Sequence, residues 1–454
     1  MYRRQFLGSA AAVGLLPGVG LARTAPQVLR AAPHRQQILP AEYPDTELWS
    51  FDATFPGRIL RATQGDRVSI EVENQLPQAT AVHWHGLRLD NAMDGVPGLT
   101  QAPIAPGDRF AYEFTLPDAG TYWYHSHAQS MEQVERGLYG PLIIDETEPP
   151  DVDQDLVLVL DDIRLERDGS VSGFDNFHDL SHAGRIGNLW LSNGQIDPGY
   201  PVKRGERLRL RLISAANARV FTLGLQGFEG WVVALDGMPL AAPEPLGEEL
   251  TLAPAQRMDL IVDVTTDDEE AFLITFERDG GYAITHFPVG GPSRARRDAP
   301  SALPPNPEFP IDLANARTAT LLVEGGAMGG MRAAEVDGER LVARELAGRG
   351  LFWALNGIAG RPETPLLDLS RGESVRVGMA NDTAFPHAMH LHGMHFAEVL
   401  PDGSLGPLRD TILLNPQETR EIAFQAHNPG NWLFHCHMLA HHQAGMGTWI
   451  RVSA

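Results

Sequence analysis

The sequence predicts an all-β protein built from three related β-sandwich domains. Gly (46) and Pro (34) are abundant in the 454 residues and no long helix-period pattern occurs, which favours many short strands joined by turns. The length accommodates about three domains at roughly 150 residues each. Three stretches also share one shape: "QGDRVSIEVENQL" (64–76), "RGERLRLRLISAA" (204–216) and "RGESVRVGMANDT" (371–383). Each sets Gly and an acidic residue before alternating apolar positions, the signature of a turn leading into a half-buried strand. They lie about 140 and 170 residues apart, a period of whole domains rather than of solenoid units.

In chain order, residues 1–22 come first. "MYRRQFLGSAAAVGLLPGVGLA" places Arg3-Arg4 before an apolar, small-residue run, the pattern of a twin-arginine export signal cleaved near Ala22. The run is too short and too rich in Gly and Ala for a membrane span, and no later segment approaches that length. A periplasmic location and no membrane span are expected. The first domain is expected at 35–150 and the second at 151–295. The second repeats the strand pattern ("APAQRMDLIVDV" echoes "APGDRFAYEF") without paired histidines. Residues 296–345 are expected to be a linker and loop region, because 290–318 are rich in Pro, Gly and Arg. The third domain is expected at 346–454. A formal charge of −22 argues against nucleic acid and anionic membrane surfaces, which need a basic patch.

The outer domains agree further. "AVHWHGL" (81–87) lines up with "AMHLHGM" (388–394), and "GTYWYHSH" (120–127) with "GNWLFHCH" (430–437). Ten of the 17 histidines fall in four clusters: His83/His85, His125/His127, His387/His390/His392 and His435/His437/His441. Residues two apart on a strand point to one face, so each H-x-H presents two imidazoles to one site. Four such pairs present eight, more than one ion takes, and imply a cluster of about three.

Cys436, the only cysteine, lies between His435 and His437 and faces the opposite way on the strand. A thiolate with two imidazoles and a weak axial Met is the ligand set of a blue-copper site, and His387, His441 and Met446 supply the missing members. Zinc fits neither site, since structural zinc takes closed tetrahedra and no Met. Electrons accepted at the blue copper would cross to the cluster through Cys436 and a short run of backbone.

At these residues the chain resembles the multicopper oxidases, the family of laccases, ascorbate oxidase, bilirubin oxidase and the bacterial cuprous oxidases. The motifs "HWHG", "HSH", "HAMHLHG" and "HCHMLAHHQAGM" carry the resemblance, which covers the whole mature chain; "AMDGVPGLTQAPIAPGDRF" and "RGLYGPLII" are laccase-like as well. The resemblance implies three cupredoxin-like Greek-key domains and four copper ions: one type 1, one type 2 and two type 3. It assigns type 1 copper to His387, Cys436, His441 and Met446, and type 2 copper to His83 and His390. One type 3 copper falls to His85, His125 and His437, the other to His127, His392 and His435. It further implies one-electron oxidation of a reductant at the blue copper and four-electron reduction of O2 to two waters.

Four protons are consumed as well, so a carboxylate near the cluster is expected. The resemblance gives that part to Asp94 in "MDGVPG"; read alone, Asp94 is equally a turn residue before Gly95. One departure stands out: Ala440 occupies a position that is acidic in many members of the family. His442 could replace the acid or be a histidine without a proton role. His34, His178, His182, His286, His395 and His427 lack cluster spacing and read as ordinary surface or core residues.

The expected reductant is a phenol or aromatic amine, with Cu(I) as the alternative. "GGAMGGMRAAE" (325–335) offers only Met328 and Met331 where a Met-rich segment would bind the soft ion. A copper-free periplasmic scaffold, a copper nitrite reductase and a simple electron carrier are disfavoured by the full set of histidines with one cysteine. A monomer is expected.

Overall fold

The computed structural model describes residues 27–454; the signal expected at 1–22 lies outside them. Among the described residues strands dominate, and six of the seven sheets pair into three sandwiches. In the first, one sheet runs Thr46–Phe51, Gln27–Gln36, Arg67–Asn74, Arg109–Thr115. The other runs Leu60–Thr63, Tyr139–Asp145, Gly120–Ser126, Val82–His85. Alternation along Arg67–Asn74 sends Ile70 and Val72 into a core with Trp84, Tyr112 and Tyr124, while the residues between them face outward. Parallel pairs (Leu29 opposite Val72, Leu60 opposite Leu142) sit among antiparallel ones, so successive strands cross between sheets.

The second sandwich packs a six-stranded sheet on a five-stranded one around Leu208, Leu210, Leu212, Leu260 and Phe287. The third does the same around Val375, Val377, Phe424, Trp432 and Phe434.

Two expected boundaries move. The first sandwich begins at Gln27 rather than 35, because Gln27–Gln36 is a central strand of its sheet. The segment expected to be linker and loop, 296–345, carries Arg317–Gly325, which pairs in parallel with Ser374–Asn381 (Leu321 opposite Met379) inside the third sandwich. A hairpin, Ala333–Val336 with Glu339–Val342, follows it. Proline content had drawn that boundary, but the prolines end at Pro310, and "RTATLLVEG" alternates as a strand does. Between strands Gly280–Gly290 and Arg317–Gly325, residues 291–316 carry neither helix nor strand.

A further apolar cluster joins all three sandwiches. Met131 and Val134 from the first meet Val157, Leu191 and Ile213 from the second and Leu439 and Ala440 from the third. Arg257 adds a polar fastening. From the second sandwich its guanidinium donates to the Thr121 carbonyl of the first (3.2 Å) and to both carboxylate oxygens of Asp410 in the third (2.9 and 2.5 Å).

Candidate metal centre

The first and third sandwiches meet along their histidine strands. Val82–His85 runs antiparallel to Gly120–Ser126 with His83 opposite His125. His387–Leu391 runs antiparallel to Gly430–Cys436 with His390 opposite His435 and Met389 opposite Cys436. Rings from the two sandwiches interleave: His83 stacks on His392 at 3.9 Å and His85 on His390 at 3.8 Å. All these histidines are buried.

Their ring nitrogens face one another. His85 Nδ1 is 3.4 Å from His125 Nε2, which is 3.3 Å from His437 Nε2; His392 Nε2 is 3.2 Å from His435 Nε2. Donor atoms within 4.8 Å of one another form the sets His85/His125/His437, His127/His392/His435 and His83/His85/His390. His85 thus stands within reach of two sets. Nε2 of His83 and of His390, and Nδ1 of His437, are buried without a hydrogen-bond partner. Burial holds the imidazoles of His85, His125, His127, His392 and His435 well below the usual histidine range, so their lone pairs are free. A nest of neutral, converging nitrogens with orphaned lone pairs fits cations and little else.

Six of the eight histidines tie their other nitrogen to a fixed acceptor, which sets tautomer and tilt. His125 Nδ1 donates to the Ser126 carbonyl (3.0 Å), His435 Nδ1 to the Cys436 carbonyl (2.9 Å), and His390 Nδ1 to the Asp410 carbonyl (2.9 Å). Asp94 serves two ligands: its carbonyl accepts from His83 Nδ1 (2.8 Å) and its carboxylate from His392 Nδ1 (3.0 Å). The turn that places it needs Gly95, at φ +85°, where a Cβ would collide with the Val82 carbonyl.

Asp410 is a residue that sequence reasoning missed. It accepts from His85 Nε2 (3.3 Å), and although burial opposes its charge, Arg257 and His85 hold its carboxyl well below the usual range. Nothing local in "PLRDTILL" marks it; only the pairing of His390 with Thr411 brings it to the cluster.

On the far face of the strand, Cys436 Sγ lies 3.6 Å from His387 Nδ1 and 3.8 Å from His441 Nδ1, and those nitrogens are 3.1 Å apart. One sulfur and two imidazoles make a triangle of the size a single copper ion spans. Met446 is buried beside them, its carbonyl accepting from the Cys436 amide at 3.2 Å. Burial pushes the thiol up to about 12, so binding a metal there displaces a proton. His387 Nε2–H donates to the Thr383 hydroxyl at 2.9 Å.

The second sandwich covers this triangle without contributing to it. Its helix Phe177–Ser181 ends on three successive carbonyls, each accepting from the third sandwich. Leu180 takes the Trp353 indole N–H (2.6 Å), Ser181 the Ala327 amide (2.6 Å) and His182 the His441 Nε2–H (2.7 Å). The last turn of a helix leaves such carbonyls without internal partners, and here they become a clasp. His178 and His182, one turn apart, stack ring on ring at 3.8 Å rather than lying separately.

Ala440 packs in the apolar cluster joining the three sandwiches, where a carboxylate would be buried among apolar side chains. His442 is half-buried, not exposed. Its ring lies 4.3 Å from His435 and 5.5 Å from His127, and it lines a cleft of about 360 Å³ with Gln129 and Arg361.

Comparison with known proteins agrees with this geometry. Profiles described as multicopper oxidase match residues 34–149, 181–289 and 338–454. The multicopper oxidase MmcO of Mycobacterium tuberculosis is 30% identical over 429 residues, covering 88% of this chain and 82% of that one. A laccase of Phlebia radiata is 30% identical, covering 87% and 84%. Copper resistance protein A of Pseudomonas syringae pv. tomato is 27% identical, covering 99% of each. Among solved structures, Lac15 from a marine microbial metagenome superposes with a TM-score of 0.78 at 44% identity, covering 94% of this chain and 100% of that one.

Proposed function

This chain belongs to the multicopper oxidase family, and from that premise we propose that its clusters hold four coppers in a laccase-like oxidase of phenols and aromatic amines. It is a copper-dependent oxidoreductase that takes electrons from a reductant and gives them to O2. The proposed holders are His387, Cys436, His441 and Met446 for type 1 copper and His83 and His390 for type 2. For the type 3 pair they are His85, His125 and His437, and His127, His392 and His435. When bound, these ions supply one-electron oxidation at the Cys436 site and four-electron reduction of O2 to water at the three-ion site.

The chain's own residues do the rest. His387 and His441 flank the thiol on one side of a strand whose next residues in either direction, His435 and His437, enter the other site, so the two sites are joined by a few covalent bonds. Asp94 and Asp410 fix the tilt of His83, His392, His85 and His390. Interleaved rings from two sandwiches exclude bulk water. All donors come from one chain, so a monomer suffices. Export by the twin-arginine route, which carries folded proteins, would place the enzyme in the periplasm.

The observation that carries the proposal is the Cys436/His387/His441 triangle standing one residue from the His85/His125/His437 and His127/His392/His435 sets. Copper stoichiometry with an absorption spectrum tests it. Near four coppers per chain, an intense blue band and a near-ultraviolet shoulder are expected; two coppers or fewer, without a blue band, would refute it.

A second reading, oxidation of Cu(I), is favoured by the cap on His441. Its Nε2 is engaged by the His182 carbonyl and its ring is buried, so no organic reductant touches it directly. His178, His182 and the 81% exposed Met328 stand outside instead, donors suited to a soft ion. Met331, by contrast, packs against a small core beside Leu341 and Leu346. Comparing Cu(I) turnover with phenol turnover in His178→Ala and His182→Ala separates the readings. Selective loss of Cu(I) turnover supports the second, and equal effects support the first.

A further inference from the structure

Reduction of one O2 takes four protons to the buried site, and Asp94 touches only its His83/His392 flank. On the His85/His390 flank stands Asp410, and beyond it lie two histidines without a part in the chemistry above. His395, just before strand Phe396–Val399, is 5% exposed, and neither ring nitrogen has a hydrogen-bond partner. Its Nε2 stands 4.0 Å from Asp410 Oδ2. His427 gives its Nδ1–H to the Gln425 carbonyl at 3.1 Å, and its buried Nε2 has no partner. Its ring lies flat on Phe309, centroids 3.7 Å apart and 6° from parallel. Phe309 in turn lines a cleft of about 530 Å³ between the second and third sandwiches, together with Leu240, Glu308, Ala397 and Leu408.

A buried polar atom left without a partner is costly. Three such nitrogens between the cleft and Asp410 point to bound water, which in proteins sits where otherwise unsatisfied polar groups cluster. The charged and titratable groups around His395 are Arg88, Asp410, Arg257 and His427; those acting on His427 are Arg88 and Arg371. Burial and these cations keep both rings neutral near neutral pH. Neutral His395, with both nitrogens unpartnered, can accept a proton at one while releasing another from the opposite one, so no imidazolium needs to persist; His427, whose Nδ1–H is held by the Gln425 carbonyl, serves by anchoring water at Nε2.

We propose that His395 and His427 are the fixed points of a water-linked proton path that runs from the cleft past Asp410 to the His85/His390 flank, independently of Asp94. The inference rests on the O2-reducing reading. The balance per turnover is O2 plus four electrons from the reductant plus four protons from solvent, giving two waters; the His395 ring begins and ends neutral.

Two experiments test the path. In a high-resolution crystal structure of the copper-free protein, ordered water is expected within hydrogen-bond distance of both His395 nitrogens; a dry pocket overturns the proposal. In the copper-loaded protein, His395→Gln and His427→Leu are expected to keep copper content, blue absorbance and the rate of blue-copper reduction. Reoxidation by O2 should slow about tenfold or more and show a larger solvent isotope effect and an altered pH profile. Gln can hold the same waters but cannot pass a proton through its side chain, so a parental rate and isotope effect in both variants overturns the relay. Should the parent itself fail to reduce O2, the proposed function falls, while the water positions in the copper-free protein still report on the path.

Discussion

Removing one partner of the Arg257–Asp410 pair should destabilise the protein far more than removing both. Arg257 and Asp410 are both buried and joined by two hydrogen bonds of 2.9 and 2.5 Å, and Arg257 reaches carbonyls of the first and second sandwiches as well. Arg257→Met strands a carboxylate and Asp410→Leu strands a guanidinium, each away from water. Breaking such a pair costs about 3–5 kcal/mol, because the remaining charge keeps its desolvation penalty without its partner. Arg257→Met with Asp410→Leu removes both charges, and its cost should fall short of the sum of the singles by about 2–3 kcal/mol. Urea unfolding of the copper-free protein, followed by tryptophan fluorescence, measures all three. Additive losses, or single losses below about 1 kcal/mol, would refute the reasoning. In copper-loaded protein the same singles should lower occupancy of the three-copper site more than that of the blue site, because Asp410 sets the rings of His85 and His390.

Further outcomes follow from the same geometry. His427, His441 and His442 have folded pKa values of about 4, with burial the main cause, against about 6.5 when unfolded. The unfolded chain therefore binds more protons between those values, and stability of the copper-free protein should fall as pH drops from about 6.5 to 4, by up to about 1.4 kcal/mol per pH unit for each histidine; a flat urea midpoint across that window contradicts this. Cys436→Ser should abolish the blue band yet leave about three coppers per chain by metal analysis, since the sulfur touches only one site. With its thiol buried and pushed up to about 12, native copper-free protein should react with a disulfide reagent at least tenfold more slowly than protein in urea. Asp94→Asn should slow reoxidation by O2 while leaving reduction of the blue site unchanged in stopped flow; parental reoxidation would remove Asp94 from proton supply.

The histidine pairs were legible because a strand's period of two converts H-x-H directly into two donors on one face, with Cys436 on the other. The strand repeats located the sandwiches for the same reason. The supporting contacts were not legible. Arg257 and the His182 carbonyl meet the site only through contacts between sandwiches more than 150 residues apart in sequence, and Asp410 reaches it through a strand pairing that no local pattern marks. Strand Arg317–Gly325 was hidden behind a proline-rich neighbour whose composition set the boundary too late. His395 and His427 had no spacing to mark them, and their interest lies in what they lack, a partner for three buried nitrogens.

The clasp of Leu180, Ser181 and His182 means that the second sandwich, which gives the Cys436/His387/His441 triangle no side chain, still decides what surrounds it. Grafting residues 177–188 from a relative would therefore exchange reductant preference and midpoint potential as a cassette, with every ligand left in place. Within this architecture, tuning and ligation can diverge on separate stretches of polypeptide.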